Sequence, residues 1–182
     1  MIAAENACKA SLRDYLGQLA SSCCADDVEL AALCVAEGEK FLSDPIYVLK
    51  KITENFNRSN GESFNKCIDS DELEKNIWIA QVRTLFPVVE SMRTKYIAAY
   101  MEQIKAAMMS SKIKTPFGTA IENPYDIEIG TLIYMIGSGM ISMSQSEYKK
   151  LDTLRIVRNN LAHMLPSEYS FVEQVLALKF TL

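Results

Sequence analysis

The stretch that most restricts the fold of this 182-residue chain lies between Trp78 and Tyr96. Trp78, Val82, Leu85, Val89, Met92 and Tyr96 recur at alternating steps of four and three residues. Such a step keeps side chains on one side of a helix turning every 3.6 residues, whereas a strand would send neighbours to opposite faces. A stripe about five turns long needs partners of similar length, so this helix must lie along others. Pro87 falls inside the stripe. It has no N–H to donate and its ring crowds the preceding turn, so a kink or short break is expected near residues 83–86.

The rest of the chain follows the same period. No segment alternates with period two, and no Asn-Gly hairpin joins alternating apolar runs. Helices are expected over residues 4–20 (Ala7, Leu12, Leu16 and Leu19 on one face), 27–42 and 45–56. Asp44-Pro45 supplies a cap and a first-turn proline for the third. The polar run Asn57-Arg58-Ser59-Asn60-Gly61 reads as a break. Ser70-Asp71-Glu72 opens the long helix, which is expected to reach about Met109. A loop over 110–123, a helix from Tyr125, a capping box at Ser144-Gln145-Ser146-Glu147 and a final helix over 168–179 complete the pass. The sequence therefore predicts an all-α protein, an up-and-down helical bundle over residues 66–182 with an N-terminal helical extension over residues 1–65.

Composition narrows the function. Hydrophobic residues make up 49% of the chain, enough for a sizeable core, and the formal net charge is −4, which argues against a strongly basic nucleic-acid binder. Residues 77–120 nevertheless carry six basic and two acidic side chains. Arg83, Arg93, Lys95, Lys105, Lys112 and Lys114 either line an anionic partner's path or form a solvated face. The aromatics Trp78, Phe86, Tyr96 and Tyr100 read as core ahead of a base-stacking platform. Five cysteines, Cys8, Cys23, Cys24, Cys34 and Cys67, show no zinc spacing, and buried reduced thiols are the simplest account. No metal and no cofactor is expected. Neither a secretory leader nor an apolar run of about 18 residues is visible, so a cytoplasmic chain without a membrane span is expected.

One stretch departs from the helical background. Arg158-Asn159-Asn160-Leu161-Ala162-His163 holds the only histidine, and Asn and His are mediocre helix formers. On a helical wheel Leu154, Val157, Leu161 and Leu165 gather on one side, and Asp152, Asn159 and His163 on the other. Arg158 and His163 stand about 140° apart and cannot converge across one straight helix. They converge if the helix loosens before Pro166, or if two copies of the helix meet across a dimer axis. An imidazole and a guanidinium together suit phosphodiester cleavage in RNA. The first moves a proton to or from the 2′-OH or the leaving oxygen, and the second offers a fork to phosphate oxygens. Asn159 would orient either one. Arg155 and Asn160, with Lys112 and Lys114, are further candidate RNA contacts. Arg155 reads more readily as an ion-pair partner of Asp152.

Arg158–His163 also resembles the R-x-x-x-x-H signature of HEPN domains (higher eukaryotes and prokaryotes nucleotide-binding), which lies near the end of an all-helical chain. Asn159 directly after the arginine is common in that family, and residues 124–132 resemble the helix preceding the motif in some members. The resemblance covers about residues 70–182. It implies a homodimer formed through the motif helices, with two Arg/His sets in one composite cleft. It implies a metal-independent endoribonuclease, often a toxin or antiviral effector, with Arg158, Asn159 and His163 as site residues and RNA as substrate. Other members are inactive modules, so a regulatory or nucleotide-binding role, with an antitoxin or a larger chain as partner, stands as the alternative.

Overall fold

The computed structural model describes residues 8–25, 27–54, 56–61, 69–110, 113, 118 and 120–178. Among them the secondary structure is helical and no strand is formed, so the chain is all-α. The boundary expected at residues 65/66, and with it Cys67, lies outside the described residues.

A 3-10 turn at Ala10–Leu12 leads into α1 (Arg13–Cys24), followed by α2 (Val28–Ala36), α3 (Glu39–Ser43) and α4 (Pro45–Thr53). The expected helix over 27–42 is two helices. Gly38 adopts φ 57°, a left-handed conformation that glycine enters without steric cost, and the chain turns there. The cap read from the sequence at Asp44 forms, and Asp27 caps α2 in the same way. Asp27 accepts from the Leu30 N–H and Asp44 from the Tyr47 N–H, each at 3.1 Å, with Pro45 in the first turn.

The long helix α5 spans Ser70–Ala99 and is continued by α6 (Met101–Ser110), the two separated only at Tyr100. Of the kink or short break expected near residues 83–86, no break forms, and the helix runs through Pro87. Pro87 itself is exposed while Leu85, Val88 and Val89 on the opposite side are buried, so packing holds the helix where one ladder bond is lost. Of the stripe, Leu85, Val89, Met92 and Tyr96 are buried, whereas Trp78 and Val82 are half-buried.

A second 3-10 turn at Pro124–Asp126 precedes α7 (Ile129–Gly137). The helix expected from Tyr125 therefore starts later, because Asn123 caps the 3-10 turn by accepting from the Tyr125 N–H at 3.1 Å. Then come α8 (Gln145–Ala162), which carries the motif, and α9 (Tyr169–Leu178).

Two compact units are formed, residues 1–86 with 159–182, and residues 87–158. In the first, α1 packs on α2, α2 and α3 on α4, and α9 on the Ala10–Leu12 turn. Tyr15, Leu16, Leu19, Phe41, Val172 and Val175 fill its core. In the second, Ile97, Ile104, Ile127, Met135, Leu151 and Leu154 are fully buried. No described helix is long and apolar enough to cross a membrane.

Candidate functional site

The last turn of α8 explains why Asn, Asn and His stand where they do. The Leu165 N–H donates to the Asn160 carbonyl at 2.9 Å and the Met164 N–H to the Leu161 carbonyl at 3.4 Å. Met164 has φ 59°. These are the bonds and the left-handed residue of a Schellman motif, with His163 as the C-cap. Poor helix formers thus occupy the end of a helix, where their propensity costs little. Leu165, grouped with the apolar face on an ideal wheel, is instead 56% exposed, because the left-handed residue turns the chain out of helical register before it.

Side chains from α5 hold this helix end in place. The Trp78 indole N–H donates to the Leu161 carbonyl at 2.8 Å, a second and shorter bond to the oxygen that also accepts from the Met164 N–H. Gln81, only 2% exposed, pairs with the Ser167 backbone in both directions. Its amide donates to the Ser167 carbonyl at 2.9 Å and accepts from the Ser167 N–H at 2.6 Å. The same amide nitrogen lies 3.2 Å from the Tyr15 hydroxyl. Neither partner of this clamp follows from the motif. Gln81 alone was legible, a polar residue four after Ile77 and four before Leu85 on the buried side of α5.

The motif side chains have separate surroundings. The imidazole of His163 is exposed and makes no hydrogen bond to a described residue. Asn159 is half-buried on the same helix side. Asn160 is half-buried. Its amide donates to the Ser167 hydroxyl at 3.2 Å and helps fix the turn. Arg155 pairs with Asp152 through Nε at 2.9 Å and Nη2 at 2.7 Å, the pairing favoured from the sequence. Arg158 donates through Nη2 to Glu128, the residue preceding α7, at 3.0 Å. Lys112 and Lys114 lie outside the described residues.

Beside Arg158 is a pocket of about 300 Å³ whose charged lining is Glu90, Arg93, Asp126, Glu128 and Arg158. Arg93 donates to the Tyr125 and Ile127 carbonyls at 2.7 and 3.0 Å and to Glu90 at 2.8 Å, so it ties the 3-10 turn to α5. Of the other basic candidates, Lys105 pairs with Glu102 at 3.4 Å, while Arg83 and Lys95 are exposed. Phe86 is 47% exposed, against its reading as core.

Chemically, the helix end offers an imidazole open to solvent and a guanidinium with donors beyond its single bond to Glu128. On an ideal helix, five positions correspond to about 7.5 Å and 140°. No protein-family model, no curated protein and no solved structure matches the chain.

Proposed function

We propose that the chain is a metal-independent endoribonuclease of the HEPN type, active as a homodimer through α8. His163 moves the proton, Arg158 neutralises the phosphate and Asn159 positions one of them. The observation that carries this reading is His163 itself, the sole histidine, exposed at a helix end held by Trp78 and with its imidazole bonded to none of the described residues. A general acid or base needs accessible nitrogens on a held backbone, and this one has both. The separation of Arg158 from His163 on one helix supports a cleft shared by two copies. The exposed Arg158–Glu128 pair is worth about 0.2–1 kcal/mol, less than a bidentate phosphate contact supplies, so substrate displaces Glu128.

Structured and unstructured RNA incubated with the wild type, His163→Ala and Arg158→Ala provides the test. Cleavage by the wild type and its loss in both variants is expected. Equal cleavage by all three proteins, or none by any, sinks the reading.

A second reading, a non-catalytic HEPN-type interaction module, is favoured by the charge around Arg158. Three carboxylates and two guanidinia line its pocket, an environment that repels polyanions. Glu128→Gln separates the two. Release of Arg158 raises RNA affinity under the first reading and leaves it unchanged under the second.

A further inference from the structure

We propose that Cys24 and Cys34 form a redox pair, two thiols that a peroxide converts into a disulfide joining α1 to α2. The proposal is independent of the ribonuclease reading. The two sulfurs lie 3.7 Å apart and both residues are buried, at 7% and 0% exposure. Cys24 is the last residue of α1, and Cys34 lies in the final turn of α2. Two helices packed against each other thus present one thiol each to the same point. Both thiols are free.

Local backbone makes the contact persistent. Ala25, directly after Cys24, holds φ 51°, a conformation unfavourable for any residue with a Cβ. Asp27 then caps α2 two residues later. The sharp reversal brings the end of α1 against α2, and rotation about the two Cα–Cβ bonds can carry the facing sulfurs to bonding distance.

The pair is chemically asymmetric. Between the neutral thiols the Cys24 S–H donates to the Cys34 sulfur at 3.7 Å; once Cys24 ionises, the Cys34 S–H turns to its thiolate, which lowers the Cys24 pKa and raises that of Cys34. Cys24 is therefore the nucleophile and Cys34 the resolving thiol. Neighbouring Cys23 is held protonated by burial, which pushes its thiol up to about 12. The Cys24 thiolate attacks one peroxide oxygen, the O–O bond breaks, and hydroxide leaves. The sulfenic acid then condenses with the Cys34 thiol and expels water. In total, two thiols and one hydrogen peroxide give one disulfide and two waters. The cross-link ties α1 to α2 and removes freedom from the unfolded chain, so the oxidised protein resists unfolding more than the reduced one.

The full chain is reduced, treated with one equivalent of hydrogen peroxide, alkylated with N-ethylmaleimide and cleaved at Asp and Glu. Trypsin is unsuitable, since no Lys or Arg lies between Arg13 and Lys40 and all three thiols stay in one fragment. Fragments bearing Cys24 and Cys34 are expected to remain joined, two hydrogens lighter, until reductant is added. The joined fragments survive in Cys23→Ser and vanish in Cys24→Ser and Cys34→Ser. Tandem mass spectrometry of the joined wild-type fragments, cleaving between Cys23 and Cys24 to place the N-ethylmaleimide on Cys23, assigns the bond whether or not the variants fold. The oxidised wild type is expected to unfold at a higher temperature than the reduced one. Oxidation to sulfinic acid without a cross-link, or a bond through Cys8, Cys23 or Cys67, overturns the proposal. So does a lowered or unchanged unfolding temperature in the oxidised protein.

Discussion

Met164 ends α8 with a left-handed backbone, φ 59°, and a side chain 58% exposed. A Cβ in that region crowds the following carbonyl, a strain of about 1–2 kcal/mol that glycine does not carry. Little packing is lost on truncation, so Met164→Gly is expected to stabilise the protein by about 1 kcal/mol, read as a raised urea midpoint at unchanged slope. The opposite holds at Gln81. Its amide is the buried partner of the Ser167 N–H and carbonyl, and Gln81→Leu leaves both without a bond. A loss of about 2–3 kcal/mol follows in the same measurement. These two sites also bound what the motif's composition can mean. Asn159, Asn160 and His163 conflict with helix propensity only if the helix continues. Since it stops at Ala162, their poor propensity has an ordinary cause, and the functional reading rests on the exposure of His163 and the R-x-x-x-x-H spacing instead.

At the scale of elements, the start of α8 shows how a cap becomes a tertiary contact. Ser144 accepts from the Glu147 N–H at 3.3 Å, half of the capping box read from the sequence. The Glu147 carboxylate does not reach back. It accepts from Lys150 at 2.7 Å and from the buried Tyr96 hydroxyl of α5 at 3.0 Å. Those two donors, Lys150 first, hold its pKa below the ordinary 4.5. A depressed carboxylate adds stability above its unfolded pKa and loses it as pH falls through the folded value. Glu147→Gln is therefore expected to be less stable than the wild type at pH 7, and the gap to shrink as pH falls below 4.5, followed by thermal unfolding across pH. The existence and period of the helices were legible because both are local. The ends of the second helix, the start of α7 and the passage of α5 through Pro87 were not. Gly38, Asn123 and the burial of Leu85 and Val89 decided them, and the first two act through backbone angles and caps that a period does not contain. The third is tertiary packing, which overrides a single lost bond.

For the whole molecule the open quantity is where the partner of His163 comes from. The all-α class follows from sequence alone, whereas a site built by two copies depends on a surface meeting itself, which no helical wheel describes. Under the proposed ribonuclease reading, the 140° that an ideal helix sets between Arg158 and His163 predicts a productive pair with Arg158 from one copy and His163 from the other. Arg158→Ala and His163→Ala chains, each inactive alone, then complement. A mixed dimer joins a chain lacking Arg158 to one lacking His163. One of its two pairings has lost both groups, and the other keeps both. Random exchange of subunits makes half the dimers mixed, each with one working pairing of two, so about a quarter of wild-type RNA cleavage returns. If both groups act within one chain, every pairing in the mixture lacks a group and no activity returns. The mixture must be denatured and refolded together, or incubated until subunits exchange, and compared with the two variants refolded separately. Recovery only after exchange identifies a site assembled between chains, and its absence in a sample shown by mass to contain mixed dimers removes that arrangement.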